Sequence, residues 1–248
     1  MAVELEGGCR VSGMNEGTPE ICGTMEIWHQ IGKTTGAQSI SLQVIKFDEG
    51  RSPLIRHENV DEVFYYLEQI EDPPQTTAHC TIHIDGTTFD IEPQTGFYLR
   101  AGKALMVDNP SHEPVMFVSV QCPKTLNQQH ETSFPGVRLH DRAAIPTADR
   151  WYRVLVDEEV GSEEVTQFVG SIPPGRAPDH FHQYEEVLFI LRGRGRMWAG
   201  QTNTPIEPGS CIYLPKGQVH CVENTGTDEL RLLGVFYPAG SPSVRYEA

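Results

Sequence analysis

The chain has 248 residues, enough for one large β-domain or two domains of roughly 100–150 residues each. Its 19 Lys+Arg against 34 Asp+Glu give a formal charge of −15, which repels phosphate backbones and anionic lipid surfaces and argues against nucleic-acid and membrane binding. Hydrophobic residues at 38% and charged residues at 21% are ordinary globular usage, whereas 23 Gly and 18 Pro cut the chain with turns and favour many short strands over long helices.

The start, Met1-Ala2-Val3-Glu4-Leu5-Glu6, lacks the basic n-region and apolar h-region of a secretory leader, and no run approaches the roughly 18–20 apolar residues of a membrane span. A non-exported, cytoplasmic protein is therefore expected. The six cysteines contain no C-x-x-C and are thinly spread, so they read as reduced thiols rather than a disulfide framework, with Cys211 and Cys221 as small buried hydrophobes.

Apolar alternation over residues 39–47 (Ile40, Leu42, Val44) predicts a first strand, and β-rich runs follow at 63–67, 97–99 and 115–120. His79 and His83 stand four apart in a strand-like stretch and read as surface histidines, since no partner motif completes a zinc set. Residues 123–150 are polar, broken by Pro135, Gly136 and Pro146, and read as a connection with room for a short helix. Strand-like runs resume at 187–191, 210–214 and 231–237, and Arg192-Gly193-Arg194-Gly195-Arg196 reads as a glycine turn with solvated arginines. The expected division is residues 1–122, a linker at 123–150, and residues 151–248.

The two halves repeat one another. Asp61-Glu62-Val63-Phe64-Tyr65-Tyr66-Leu67 reads like Glu185-Glu186-Val187-Leu188-Phe189-Ile190-Leu191, and Gly102 with Asn109 reads like Gly217 with Asn224. The second spacing is shorter than the first, which assigns the first half a longer middle loop around residues 69–77.

The second half carries the chemistry. His180 and His182 face one side of a strand, and Glu186 shares their parity or approaches across a two-residue bend. His220 arrives from a separate strand after the turn at Pro215 and Gly217. Three imidazoles and one carboxylate suit Mn, Fe, Co, Ni, Cu or Zn.

These residues resemble the cupin superfamily. Gly175, His180, His182, Glu186 and Gly193 match its first motif, G-x(4-5)-H-x-H-x(3-4)-E-x6-G, and Gly209, Pro215, Gly217, His220 and Asn224 match its second, G-x5-P-x-G-x2-H-x3-N. The resemblance implies an all-β protein of two tandem double-stranded β-helix (jelly-roll) barrels, a bicupin, with one divalent transition metal per chain (Fe, Mn, Ni or Zn) held by His180, His182, Glu186 and His220. In the first half the repeat sets Arg56, Glu58, Glu62 and Leu105 against those four ligands, with His57 one residue out of register, so that barrel is expected to hold no tight metal.

Four protein ligands leave about two positions on a six-coordinate ion for a small-molecule substrate. Family habit puts a dioxygenase first. The alternatives are an isomerase, decarboxylase or cyclase using Mn, Ni or Zn as a Lewis acid, and a non-catalytic metal-dependent binding protein. The sugar isomerase and ureidoglycine aminohydrolase branches of the family are further options that no branch-specific motif singles out. Tyr184 is the candidate catalytic residue; Glu185 has opposite parity and is expected to face away. Arg176 and Gln167 are candidates to meet a substrate carboxylate or carbonyl at the barrel mouth, while Phe181, Trp198 and Phe236 read as core. Exposed sheet edges favour a homodimer.

Overall fold

The computed structural model describes residues 1–68, 79–126 and 134–244. They form 24 strands and four short 3-10 helices, so turn-rich composition has produced a nearly pure β protein. Each sequence-predicted strand is present, for example Ser41–Phe47, Val60–Tyr66, Glu185–Arg192 and Leu230–Tyr237. Among the described residues no helix is long and apolar enough to cross a membrane.

The strands build two jelly-roll barrels, each of a large and a small antiparallel sheet. In the first, the large sheet runs Gly136–Arg138, Thr95–Leu99, Val60–Tyr66, Val115–Pro123, Ser41–Phe47, Met25–Ile31 and Glu20–Cys22. In the second, it runs Val3–Glu4, Arg10–Gly13, Ser210–Leu214, Glu185–Arg192, Leu230–Tyr237, Thr166–Ile172, Arg150–Val156 and Ile145–Thr147. The small sheet of the second barrel holds Gly175–Arg176, His220–Asn224, Gly195–Ala199 and Thr202–Ile206.

Corresponding residues do corresponding jobs in the two barrels. Glu62 pairs with Leu99, and Glu186 pairs with Leu214. The Asn109 amide donates to the carbonyls of Phe47 and Glu113, and the Asn224 amide donates to those of Ile172 and Asp228, at 2.7–3.2 Å. The loop assigned to residues 69–77 lies outside the described residues.

Two segments cross the division made from the sequence. Arg10–Gly13 pairs with Ser210–Leu214 of the second barrel, and Gly136–Arg138 of the connection pairs with Thr95–Leu99 of the first. Each barrel thus takes outer strands of its large sheet from the chain that precedes the other, Val3–Glu4 and Arg10–Gly13 in the second and Gly136–Arg138 in the first, which covers an otherwise exposed edge. Among its described residues the connection contains one 3-10 turn, Leu139–Asp141, and no α-helix, and its end forms the hairpin Ile145–Thr147 with Arg150–Val156.

The large sheets pack back to back. Val63, Tyr65, Val118 and Val120 of one meet Leu155, Val169, Val187 and Phe189 of the other in a shared apolar core, each buried side chain contributing about 1.5–3 kcal/mol. The sheets approach so closely at Gly96 that a Cβ there would stand 2.4 Å from Gln167 Oε1. Gln167 itself is fully buried and donates to the Phe64 carbonyl, so it lies in this interface and not at a barrel mouth. Glu185 crosses the interface too, accepting hydrogen bonds from Gln38 N (2.8 Å), Ser39 N (2.7 Å) and Tyr213 Oη (2.5 Å). All six cysteines are free thiols, Cys211 and Cys221 among the buried ones.

Candidate functional site

His180, His182 and His220 converge because their two segments pair. His180 and His220 exchange both backbone hydrogen bonds, at 3.1 and 2.8 Å, which sets their rings side by side with centroids 4.5 Å apart. The His182 ring lies 4.9 Å from that of His180 and 5.4 Å from that of His220. One ring nitrogen from each of the three lies within 4.8 Å of the others.

The chain then bends, and strand Glu185–Arg192 turns Glu186 inward, with Oε2 3.6 Å from Nε2 of both His182 and His220. The turn before His220 is pinned by Gly217, whose N–H donates to the His182 carbonyl at 2.8 Å. Its φ of +79° is left-handed, a conformation that costs an L side chain but not glycine.

Second contacts orient the rings. His180 Nδ1 lies 3.1 Å from the Pro178 carbonyl and His220 Nδ1 lies 2.8 Å from that of Gln218. A carbonyl only accepts, so Nδ1 carries the proton and the Nε2 lone pair is left for the site. Burial, reinforced by the neighbouring His180, lowers the His220 pKa to about 3, and burial pushes Glu186 up to about 8. Glu186 Oε2 is buried and accepts no hydrogen bond among the described residues. Imidazole nitrogens around a buried carboxylate oxygen that lacks a donor make a set that a divalent cation satisfies, so the residues fit a metal site.

The cluster opens on a cavity of about 90 Å³ walled by Phe168, Leu188, Val222, Leu232 and Phe236. Thr147, Arg150 and Ser171 bring further polar groups to its lining. Thr147 and Arg150 come from the hairpin at the end of the connection and were not singled out by the sequence reading. The signal was present as a short turn, Ala148-Asp149, followed by the β-rich stretch Arg150–Val156.

Tyr184, the candidate catalytic residue, stands behind His182 rather than in the cavity lining. Its ring stacks on the His182 ring at 4.8 Å and 11°, and its hydroxyl donates to the Ser241 carbonyl at 3.2 Å. Tyr184 therefore positions an imidazole. Glu185 has the opposite parity and faces the other barrel, as expected. Arg176 lies over the Trp198 ring at 4.2 Å and pairs with Asp179 at 3.0 Å, outside the cavity. Trp198 is half-buried on the outer face, its Nε1 donating to Glu223, so it is not core.

In the first barrel the observed register corrects the one read from the sequence. Leu105 pairs with Ile55, as His220 pairs with His180, and Gly102 N donates to the His57 carbonyl at 2.7 Å, as Gly217 does to that of His182. The counterparts of the four site residues are thus Ile55, His57, Glu62 and Leu105, not Arg56, Glu58, Glu62 and Leu105. The repeat had hidden one extra residue between His57 and Glu62. Two apolar side chains replace two imidazoles, while His57 Nε2 remains 3.6 Å from Glu62 Oε2.

A model of the cupin domain family matches residues 168–236, the stretch that holds all four residues of the cluster. An uncharacterised protein of Aquifex aeolicus is 31% identical over 108 residues, covering 38% of this chain and 88% of that protein. The chain is a cupin. Auxin-binding protein 1 of Arabidopsis thaliana is 32% identical to this cupin over 83 residues, 29% of the chain and 42% of that protein. The oxalate-binding protein of Thermotoga maritima is 35% identical over 66 residues, 26% of the chain and 54% of that protein. The chain therefore spans about half the length of these two named relatives.

Solved structures share the whole two-barrel cupin architecture at low identity. Protein YlbA of Escherichia coli superposes with a TM-score of 0.78 at 12% identity, covering 95% of this cupin and 93% of that chain. Bacillus subtilis oxalate decarboxylase, known for its Mn(II) centres, superposes with a TM-score of 0.72 at 14% identity, covering 93% and 78%.

Proposed function

We propose that this cupin is an enzyme that holds one divalent transition metal through His180, His182, Glu186 and His220 and acts on a small organic acid, with oxygen-dependent cleavage by a dioxygenase as the first reaction. The observation that carries this reading is the convergence of three imidazoles and an unsatisfied buried carboxylate oxygen on one small apolar cavity.

A metal held by His180, His182, Glu186 and His220 would supply Lewis acidity and, for a redox-active ion, oxygen chemistry. The protein's own groups do the rest. The Pro178 and Gln218 carbonyls fix the tautomers of His180 and His220, and the Tyr184 ring holds the plane of His182. Phe168, Leu232 and Phe236 exclude water and lower the local dielectric around the charged groups.

The cavity also limits the substrate. An engineered cavity of about 150 Å³ accommodates benzene, so about 90 Å³ favours a molecule of a handful of non-hydrogen atoms over a catechol. Among the described lining residues, Glu186 belongs to the cluster and no further carboxylate or lysine is present to shuttle protons. A second reading, non-oxidative decarboxylation, is favoured by the names of the oxalate-binding relative and of oxalate decarboxylase.

The test is oxygen uptake and product analysis on protein loaded with Fe(II) or Mn(II) and offered pyruvate, oxalate, oxaloacetate and acetylacetone. Oxygen consumed in step with substrate is expected. Turnover that persists without oxygen moves the reaction to decarboxylation, and no turnover by metal-loaded protein overturns the enzyme reading.

A further inference from the structure

We infer that Arg150 is the anchor for a substrate carboxylate, so that the cavity selects small monocarboxylates bearing a second oxygen for the metal. The inference rests on the metal reading above for its second half only; the guanidinium stands on its own geometry.

Arg150 opens strand Arg150–Val156, and alternation puts it on the same face as Tyr152, which packs in the core of the second barrel. Its side chain is 11% exposed, and it is the one Lys or Arg among the described residues lining the cavity. A guanidinium placed against an apolar interior is costly unless it is paired. Arg150 is poorly provided for. Its buried Nε meets no hydrogen-bond geometry, and that same atom's ion pair, 3.3 Å to Asp149, is with a carboxylate that is 67% exposed and screened by water.

The turn that delivers Arg150 holds an unusual backbone. Ala148 sits at φ +55° in the two-residue turn between Thr147 and Arg150, a position where glycine is the ordinary choice. Such outliers concentrate where a side chain must be aimed. The guanidinium offers a fork of donors that matches a carboxylate bidentately. The His180, His182 and His220 cluster lines the same cavity, so a small acid whose carboxylate is held by Arg150 would present its carbonyl or hydroxyl oxygen to the side of the cavity where those residues would hold a metal.

The experiment is isothermal titration of the purified 248-residue chain with pyruvate and, separately, with its neutral analogue pyruvamide, on wild type, R150Q and R150K, with metal per chain measured on each sample. Wild type is expected to prefer pyruvate, and R150Q to bind pyruvate about 10- to 100-fold more weakly, the loss typical of a charge-assisted bidentate contact. R150K is expected to fall between, and metal content to be the same in all three. The wild-type contrast between the two probes needs no variant and stands if R150Q does not fold. Equal binding of pyruvate and pyruvamide by wild type, or unchanged pyruvate affinity in folded R150Q, overturns the inference. If wild type carries no metal, the metal reading fails, while a pyruvate preference that R150Q abolishes still supports the role of Arg150.

Discussion

Glu185 and Glu186 are adjacent in the chain, both buried, and point to opposite sides of one strand, so truncating each has opposite consequences. The Glu185 carboxylate holds two backbone N–H groups across the interface between the barrels and the Tyr213 phenol of its own sheet. Glu185→Ala strands all three donors. At about 1–3 kcal/mol for each unsatisfied buried group, with part relieved by entering water, the loss comes to about 3–5 kcal/mol. A chain of this size loses about 2–4 °C of Tm per kcal/mol, so Tm falls by about 6–20 °C. Metal content is expected to stay unchanged, because the Glu185 side chain does not line the cavity.

Glu186→Leu does the reverse. It removes a buried carboxylate oxygen with no hydrogen-bond donor, so chelator-treated protein gains about 1–3 kcal/mol while metal retention collapses. Calorimetry on chelator-treated protein and elemental analysis of protein purified without chelator read the two effects separately. A Glu185→Ala protein that loses metal at constant Tm, or a Glu186→Leu protein that keeps full metal, would refute this division of labour.

Other outcomes follow from the repeat. Burial holds the Glu62 carboxyl above its ordinary value of 4.5, against the Ser119 hydrogen bond and the nearby His57. The folded state then keeps a proton that the unfolded chain releases, and stability falls as pH rises above 4.5. Glu62→Gln should leave metal content unchanged and stabilise the protein more at about pH 8 than at about pH 5 in urea titrations; an equal or opposite difference counts against it. Asn224→Ala removes bonds to Ile172, Asp228 and Gly226 and should cost about 2–4 kcal/mol by denaturant unfolding. Asn109→Ala should cost a similar amount in the first barrel, and a negligible loss in both would break the equivalence.

Much of this was legible because a strand that must place side chains on one ion carries them at fixed parity. His180, His182 and Glu186 declare a common face, and the glycines at 175, 193, 209 and 217 mark turns that all prove to have positive φ. The back-to-back packing was hidden, because Val60–Tyr66 and Glu185–Arg192 are buried on both faces and read as unbroken runs without a second surface. The exchange of edge strands was invisible too. Short polar segments such as Arg10–Gly13 carry no pattern that names their partner. The register of the first barrel slipped by one residue at His57, since an insertion in a bend leaves no trace in strand periodicity. Arg150 was missed because a charged residue after a polar turn looks like linker until its strand neighbours are known.

The most direct test is metal per chain by mass spectrometry on protein purified without chelator or nickel resin, wild type beside His182→Ala. The expected values are about one transition-metal ion per wild-type chain and nearly none in the variant, which should keep its fold because barrel packing supplies most of the burial. A wild-type chain without metal, or a His182→Ala chain at full occupancy, would contradict the assignment of this cluster as a metal centre.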